Sequence, residues 1–196
     1  MFTGIIETIG TVRQTSINGT NKTFWIESSL FAELKIDQSL SHNGVCLTIE
    51  NLTESLHVVT AVQETLDRTT IDLWETGTQI NLERCLLPTS RLDGHFVQGH
   101  IDTCGICKKI KDLKGSWEFE FEFDKKFSSL VIEKGSISIN GISLTAFNVK
   151  QKKFKVAVIP YTWAHTTMQF LKPGDTVNIE FDLIGKYITR KLSLKR

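Results

Sequence analysis

Ser143 and Thr145 stand two residues apart in Ile142-Ser143-Leu144-Thr145, so on a strand their hydroxyls share one face. Cys46 and Thr48 hold the same relation in Val45-Cys46-Leu47-Thr48. His100 adds a group whose unperturbed pKa, ~6.5, lies near working pH, and a histidine beside two hydroxyls is a workable proton-transfer set. Taken singly, each residue has a blander explanation: a lone strand Ser or Thr usually meets solvent, and a lone His is usually a satisfied core or surface residue. What lifts them is recurrence. Asn43-Gly44-Val45-Cys46-Leu47-Thr48 answers Asn140-Gly141-Ile142-Ser143-Leu144-Thr145, 97 residues on.

The same offset links Gln63-Glu64-Thr65-Leu66 to Pro160-Tyr161-Thr162-Trp163, and Gly77-Thr78-Gln79-Ile80-Asn81-Leu82-Glu83 to Gly174-Asp175-Thr176-Val177-Asn178-Ile179-Glu180. Gly4-Ile5-Ile6 answers Gly99-His100-Ile101 at an offset of 95, so one short insertion separates the copies. Two like domains imply two like pockets, and hence a chemistry that brings two similar molecules together. The copies also diverge. Where the first has Ile5, Cys46 and Glu64, the second has His100, Ser143 and Tyr161, which predicts one acid/base-equipped pocket and one that mainly binds.

Other chemistries find little support. The 23 basic and 22 acidic residues leave a net charge of +1, with no electrostatic footprint for nucleic acid. The basic tail from Lys186 to Arg196 reads as a solvated helix face. No apolar run approaches the ~20 residues of a membrane span, and Met1-Phe2-Thr3-Gly4 lacks the features of a signal peptide. Four cysteines, Cys46, Cys85, Cys104 and Cys107, then point to reduced thiols in a cytoplasmic setting. Cys104-x-x-Cys107 lacks the second pair of a zinc knuckle and the helix start of a redox pair, and reads as two strand cysteines. His95 and His100 are five apart, on opposite faces if Gly94–His100 is a strand, which speaks against a shared metal. The G-x-G-x-x-G, phosphate-loop and H-E-x-x-H fingerprints are missing.

The elements that must position these residues are mostly strands. Ser116-Trp117-Glu118-Phe119-Glu120-Phe121-Glu122-Phe123 alternates aromatic and acidic residues at period two. Leu56–Val62, Phe154–Ile159 and Val177–Phe181 are β-branched or aromatic runs, and the flanks of the Cys pair, His100-Ile101-Asp102 included, read as extended. Asn18-Gly19, Asn43-Gly44 and Asn140-Gly141 mark tight turns. Ser29 could cap a short turn carrying Leu30, Phe31 and Leu34, with Phe127, Leu130 and Val131 in the same place of the second copy. About six strands in ~90 residues are expected to close into a small Greek-key barrel, because closure removes exposed edges. The expected organisation is all-β: barrels at 1–87 and 88–182, and a C-terminal helix at 183–196. In that helix Leu183, Ile184, Tyr187, Ile188 and Leu192 form a stripe with no counterpart in the first copy, so self-association is favoured over intrachain packing.

The ordered blocks Met1-Phe2-Thr3-Gly4-Ile5-Ile6-Glu7, Asn43–Thr48, Gly94-His95-Phe96-Val97-Gln98-Gly99-His100-Ile101, Asn140–Thr145 and Asp182-Leu183-Ile184-Gly185-Lys186-Tyr187 resemble those of riboflavin synthase, over Met1 to about Arg190. The resemblance implies two six-stranded closed barrels and a helix through which three chains associate. It implies conversion of two 6,7-dimethyl-8-ribityllumazine molecules into riboflavin and 5-amino-6-ribitylamino-2,4(1H,3H)-pyrimidinedione, without metal or redox cofactor. Each active site would form where the N-terminal barrel of one chain faces the C-terminal barrel of a neighbour. By resemblance, His100 with Thr145 manages proton transfer at the C-barrel substrate. Ser143, with Asp182 near it, activates the group that adds to the ring. Cys46 is a nucleophile or a shape-setting contact, and Phe2 and Ser41 order the entry segment.

The ring sites would be lined by Gly4, Ile5 and Ile6; by Cys46, Leu47 and Thr48; and by Thr60, Ala61, Val62, Gln63, Glu64 and Thr65. Gly99, His100 and Ile101, with Lys134 and Ser143, Leu144 and Thr145, would add to them. The last group is Ile159, Pro160, Tyr161, Thr162, Trp163 and Ala164. Here the chain departs from the family's Pro-Glu-Thr-Leu or Pro-His-Thr-Leu, which weakens the transfer of side-chain contacts. Association with a separate lumazine synthase is left open. Two other classes compete: a lumazine- or flavin-binding fluorescent antenna, expected to lose the polar set or the tail helix, and a flavin oxidoreductase barrel, which would need a nicotinamide domain.

Overall fold

Asn43 and Gly44 take φ of 46° and 82°, and Asn140 and Gly141 take 47° and 81°. Positive φ at both central residues is the type I′ geometry that closes a two-residue hairpin with the twist of its strands. Around these turns the computed structural model, which describes residues 1–194, builds two closed antiparallel barrels. The expected helical segment 183–196 therefore ends in two residues that lie outside the described residues.

The first barrel is made of β1 (Thr8–Asn18), β2 (Asn21–Glu27), β3 (Ser39–His42), β4 (Val45–Thr53), β5 (Leu56–Ala61) and β6 (Gln79–Arg84), with α1 (Gln63–Arg68) between the last two. The second comprises β7 (Thr103–Asp112), β8 (Trp117–Glu122), β9 (Ser136–Ile139), β10 (Ile142–Lys150), β11 (Lys153–Val158) and β12 (Thr176–Phe181), with α2 (Pro160–His165) in the matching place. Strand order around the first is β1-β2-β5-β4-β3-β6, and the second repeats it as β7-β8-β11-β10-β9-β12. Register shifts recur at matching corners, between Val12 and Gln14 and between Cys107 and Lys109, where a bulge bends short strands toward closure.

The alternating segment behaves as its pattern requires. Phe119 and Phe121 are buried, while Glu118 and Glu120 face outward and accept from Lys155 at 2.7 Å and Lys153 at 3.2 Å. Two expectations fail locally. Gly94–Asp102 is irregular apart from one bridge, because its backbone is engaged by a carboxylate and by the other half of the chain rather than by a ladder. Ser29 caps nothing: its hydroxyl bonds Thr8 Oγ1 at 2.9 Å, and the turn at Phe31–Glu33 has no side-chain cap. Cys104 and Cys107 do lie on one strand, β7, half-buried and buried.

The halves dock about a pseudo-twofold axis of asparagines. Fully buried Asn81 donates to the Asn140 carbonyl at 2.9 Å, and Asn178 donates to the Asn43 carbonyl at 2.9 Å. Their side-chain oxygens accept from Thr167 N–H and Thr70 N–H, each at 2.8 Å. A Cβ on Gly44 would come 2.7 Å from the Gly141 nitrogen, and one on Gly141 the same from Gly44, so the turns touch backbone to backbone. Buried amides bonded through both nitrogen and oxygen fix one geometry. This frame sets the pockets relative to each other.

After Asp182, whose carboxylate accepts from Ile184 N–H at 2.9 Å, the chain forms α3 (Leu183–Ser193). Its stripe stays uncovered within the chain: Ile184, Tyr187, Ile188 and Leu192 are 55–70% exposed. No helix among the described residues is long and apolar enough to cross a membrane.

Candidate active site

The segment leading into each repeat crosses to the other barrel. Phe2, fully buried, exchanges two backbone hydrogen bonds with Val97, at 2.7 and 3.1 Å, so the two lead segments run antiparallel between the barrels. Gly4, at φ 77°, then offers its carbonyl to Ser143 N–H of β10 at 2.8 Å. Gly99, at φ 84°, offers its own to Cys46 N–H of β4 at 2.9 Å. Both approaches require glycine, since a Cβ would stand 2.6 Å from Ser143 Cβ or 2.5 Å from Cys46 Cβ.

This crossing corrects the sequence-based grouping. His100 does not join Ser143 and Thr145 of its own chain; it lines a cleft of about 500 Å³ together with Cys46, Glu64, Thr65 and Ile101. The pocket expected to hold Cys46 and little else thus also holds the exposed imidazole of His100. Ser41, buried, pairs with Cys46 on one side and Glu83 on the other. Leu47 is buried and Thr48 exposed on the face of Cys46. Thr60 Oγ1 bonds Glu50 at 2.7 Å, Ala61 is buried, and the Val62 carbonyl accepts from Thr65 N–H at 3.0 Å to start α1. Gln63 bonds Asp67 at 2.7 Å, and Glu64 pairs with Arg68 at the rim. Burial pushes the Cys46 thiol up, so it is a neutral thiol near neutral pH rather than a ready nucleophile. Asp102 and Lys186 of α3, paired at 2.6 Å, complete the wall.

In the second site Ser143 Oγ lies 2.7 Å from Nδ1 of His95, a residue that the sequence reading weighed only as a metal ligand. His95 is buried, and its backbone N–H donates to the Thr3 carbonyl at 3.1 Å. Burial lowers its pKa while the charge of Asp182 opposes, which leaves a neutral imidazole able to take the serine proton. Thr145 is exposed on the face of Ser143, and Leu144 between them is buried. Ile5 is exposed beside this site and Ile6 packs against the second core. Lys134 N–H donates to the Ala146 carbonyl at 2.8 Å, with its ammonium 5.4 Å from the Phe147 ring.

Beyond the exposed Ile159, Pro160 opens α2 at a first-turn position that costs no hydrogen bond. Tyr161 stacks on His165 at 4.1 Å, the Thr162 carbonyl accepts from Thr166 Oγ1 at 2.6 Å, and Trp163 stacks on Trp117 at 4.1 Å. Ala164 is exposed and its carbonyl accepts from Gln169. The two departures from the family's motif are thus locked onto this chain's own aromatic residues.

Two further residues were in view in the sequence without being recognised. Glu83 and Glu180 end the matched Asn-Leu-Glu and Asn-Ile-Glu triplets of β6 and β12, and both are buried. His95 lay in a run that reads as strand; with that assignment gone, the opposite-faces reasoning about it lapses. Among the described residues no cluster of three potential metal ligands occurs.

A sequence model of the "Lumazine binding domain" matches residues 3–85 and 98–182, one span per barrel. The riboflavin synthase of Photobacterium phosphoreum is 34% identical over 98% of this chain and 89% of its own length. That of Bacillus subtilis is 33% identical over 98% and 90%, and that of Saccharomyces cerevisiae 34% over 99% and 87%. The chain belongs to the riboflavin synthase family. Among solved structures, LumP complexed with riboflavin aligns with a TM-score of 0.86 at 20% identity, covering 92% of this chain and 99% of that one. LumP complexed with 6,7-dimethyl-8-(1'-D-ribityl) lumazine gives 0.84 at 19%. At such identity the likeness is one of fold. His95 falls in the stretch between the two spans matched by the family model, where the lead segment of the second repeat begins.

Proposed function

We propose that this protein is a riboflavin synthase: it binds two molecules of 6,7-dimethyl-8-ribityllumazine and moves a four-carbon unit from one to the other. The products are riboflavin and 5-amino-6-ribitylamino-2,4(1H,3H)-pyrimidinedione. The observation that carries this is a pair of like-placed but unequal sites, the cleft at Cys46 and the Ser143–His95 pair, in a chain aligned nearly end to end with riboflavin synthases. Donor and acceptor are the same compound, so near-identical barrels hold both. The C7 methyl of the lumazine is acidic because its carbanion delocalises into the ring, and a modest base suffices. Much of the remaining barrier is orientational, which two fixed pockets lower by several kcal/mol.

Ser143, deprotonated through His95 with Asp182 close by, activates the group that adds to the ring in the second-barrel pocket. His100 stands at the rim of the first-barrel pocket and serves the lumazine of a neighbouring chain, together with that chain's Thr145. Cys46, as a neutral thiol, shapes the first pocket. The exposed stripe of α3 supports association of three chains, with the first barrel of one facing the second barrel of the next. In that assembly the units 1–87, 88–182 and 183–196 act as two lumazine-binding barrels and an association helix. Thiols that are free in the folded chain fit a cytoplasmic protein.

The test is incubation of the pure protein with the lumazine alone. Riboflavin and the pyrimidinedione are expected in equal amounts, and bound lumazine that stays unconverted would refute the reading.

A further inference from the structure

The two lead segments owe their places to two buried carboxylates that no step of the chemistry uses. Glu83, 4% exposed, takes Thr3 N–H at 2.6 Å and Thr3 Oγ1 at 2.7 Å on one oxygen, and Gly4 N–H at 3.0 Å on the other. Glu180, 1% exposed, takes Gln98 N–H at 2.6 Å on one oxygen, and Gly99 and His100 N–H at 2.9 and 3.0 Å on the other. A carboxylate so buried survives only when its lone pairs are matched, and bonds to an ionised acceptor are roughly twice as strong as neutral ones. Here every donor on both carboxylates comes from a lead segment. Each glutamate therefore grips the segment at the head of its own repeat, and that segment presents its glycine carbonyl and the residues after it to the opposite barrel.

We propose that Glu180 and Glu83 are positioning residues for the reaction. Glu180, from the second barrel, sets Gly99-His100-Ile101 over the Cys46 pocket; Glu83, from the first, sets Gly4-Ile5-Ile6 over the Ser143 site. The proposal rests on reading these pockets as the two lumazine sites. It makes each pocket the joint product of both barrels, so neither half of the chain builds a complete site from its own residues.

The experiment measures turnover of the lumazine and, separately, the rate at which iodoacetamide alkylates Cys46, read by peptide mass spectrometry. Glu180→Gln keeps the volume but removes the charge and turns an amide donor toward one side of the N–H set, either Gln98 or Gly99 and His100. Loss of bonds to a charged acceptor is expected to speed Cys46 alkylation at least about tenfold and to slow turnover by a similar factor. Glu83→Gln is expected to slow turnover comparably while Cys46 alkylation stays within about threefold of wild type, because its segment covers Ser143 instead. Glu180→Asp keeps the charge but withdraws it by one methylene, and serves if the first variant does not fold, with the same pattern expected. Wild-type alkylation and turnover in a folded Glu180 variant would overturn the proposal. So would failure of both variants to fold, since the carboxylate would then belong to the barrel rather than to the segment. Failure of the wild type to convert lumazine would count against the function alone, because the alkylation arm reads segment placement without it.

Discussion

The two barrels share a frame and differ in what fills it. Both turn on an Asn-Gly hairpin, both insert an asparagine into the other half, and both grip a lead segment with a buried glutamate. Inside, the first barrel carries His42 and His57, fully buried with their Nε2 atoms 3.0 Å apart, where the second has Ile139 and Phe154. At the rims, the Glu64–Arg68 ion pair of the first becomes the Tyr161–His165 stack of the second. Where the first has Leu66 and Lys22, the second has Trp163 stacked on Trp117. Duplication preserved the groups that hold two pockets in one relative geometry and left the pocket chemistry free to specialise. A transfer between two identical molecules in unequal roles has use for such an arrangement.

The largest expected effect breaks the difference in chemistry. Ser143→Ala or His95→Ala should lower turnover by about a hundredfold or more, the usual size of a lost acid/base group, with lumazine binding largely kept. Steady-state rates and fluorescence titration separate the two, and near-wild-type turnover in both variants would remove the pair from the mechanism.

Next in size is the core difference. Nδ1 of His42 meets the Leu40 carbonyl at 3.0 Å, so it carries the proton and Nε2 accepts from His57, whose Nδ1 is left without a partner. Burial lowers both, His42 well below the usual range and His57 to about 4. With the folded pKa depressed, the unfolded chain binds more protons between about pH 6.5 and 4. Stability is therefore full above that window and falls as pH drops through it, by on the order of 3 kcal/mol for His57. Denaturant titrations at pH 7 and pH 4.5 should show the loss, and His42→Ile with His57→Phe, which copies the second barrel, should flatten it. An unchanged pH slope in the double variant would locate acid sensitivity elsewhere.

Smaller still is Trp163→Leu, which copies the first barrel. Loss of the ring stack and part of the burial should cost about 2 kcal/mol by denaturant midpoint. A cost near zero would mean that the stack contributes nothing the first barrel lacks.

Much of this was legible in the sequence. Asn-Gly turns, period-two alternation and the 97-residue offset follow from local backbone chemistry, so the barrels, their tandem order and the tail helix can be read without coordinates. Which pocket His100 enters could not be read that way. The route of Gly94–Asp102 is set by Glu180, some 80 residues away in sequence, and by a glycine carbonyl bonded across the barrels. His95 stayed hidden for the same reason, because its partnership with Ser143 exists only once the segments have crossed. Glu83 and Glu180 stood in the matched triplets, but polar residues on a strand give no sign in sequence that they are buried.

The most direct test of two unequal barrels completing each other between chains is complementation. His100→Ala and Ser143→Ala chains, each nearly inactive alone, are co-expressed with different tags and isolated as a mixed assembly. Pairing between chains predicts that riboflavin formation returns, since the intact His100 of one chain then meets the intact Ser143 of the other. A mixed assembly no more active than either parent would contradict it and place both residues in one chain's site.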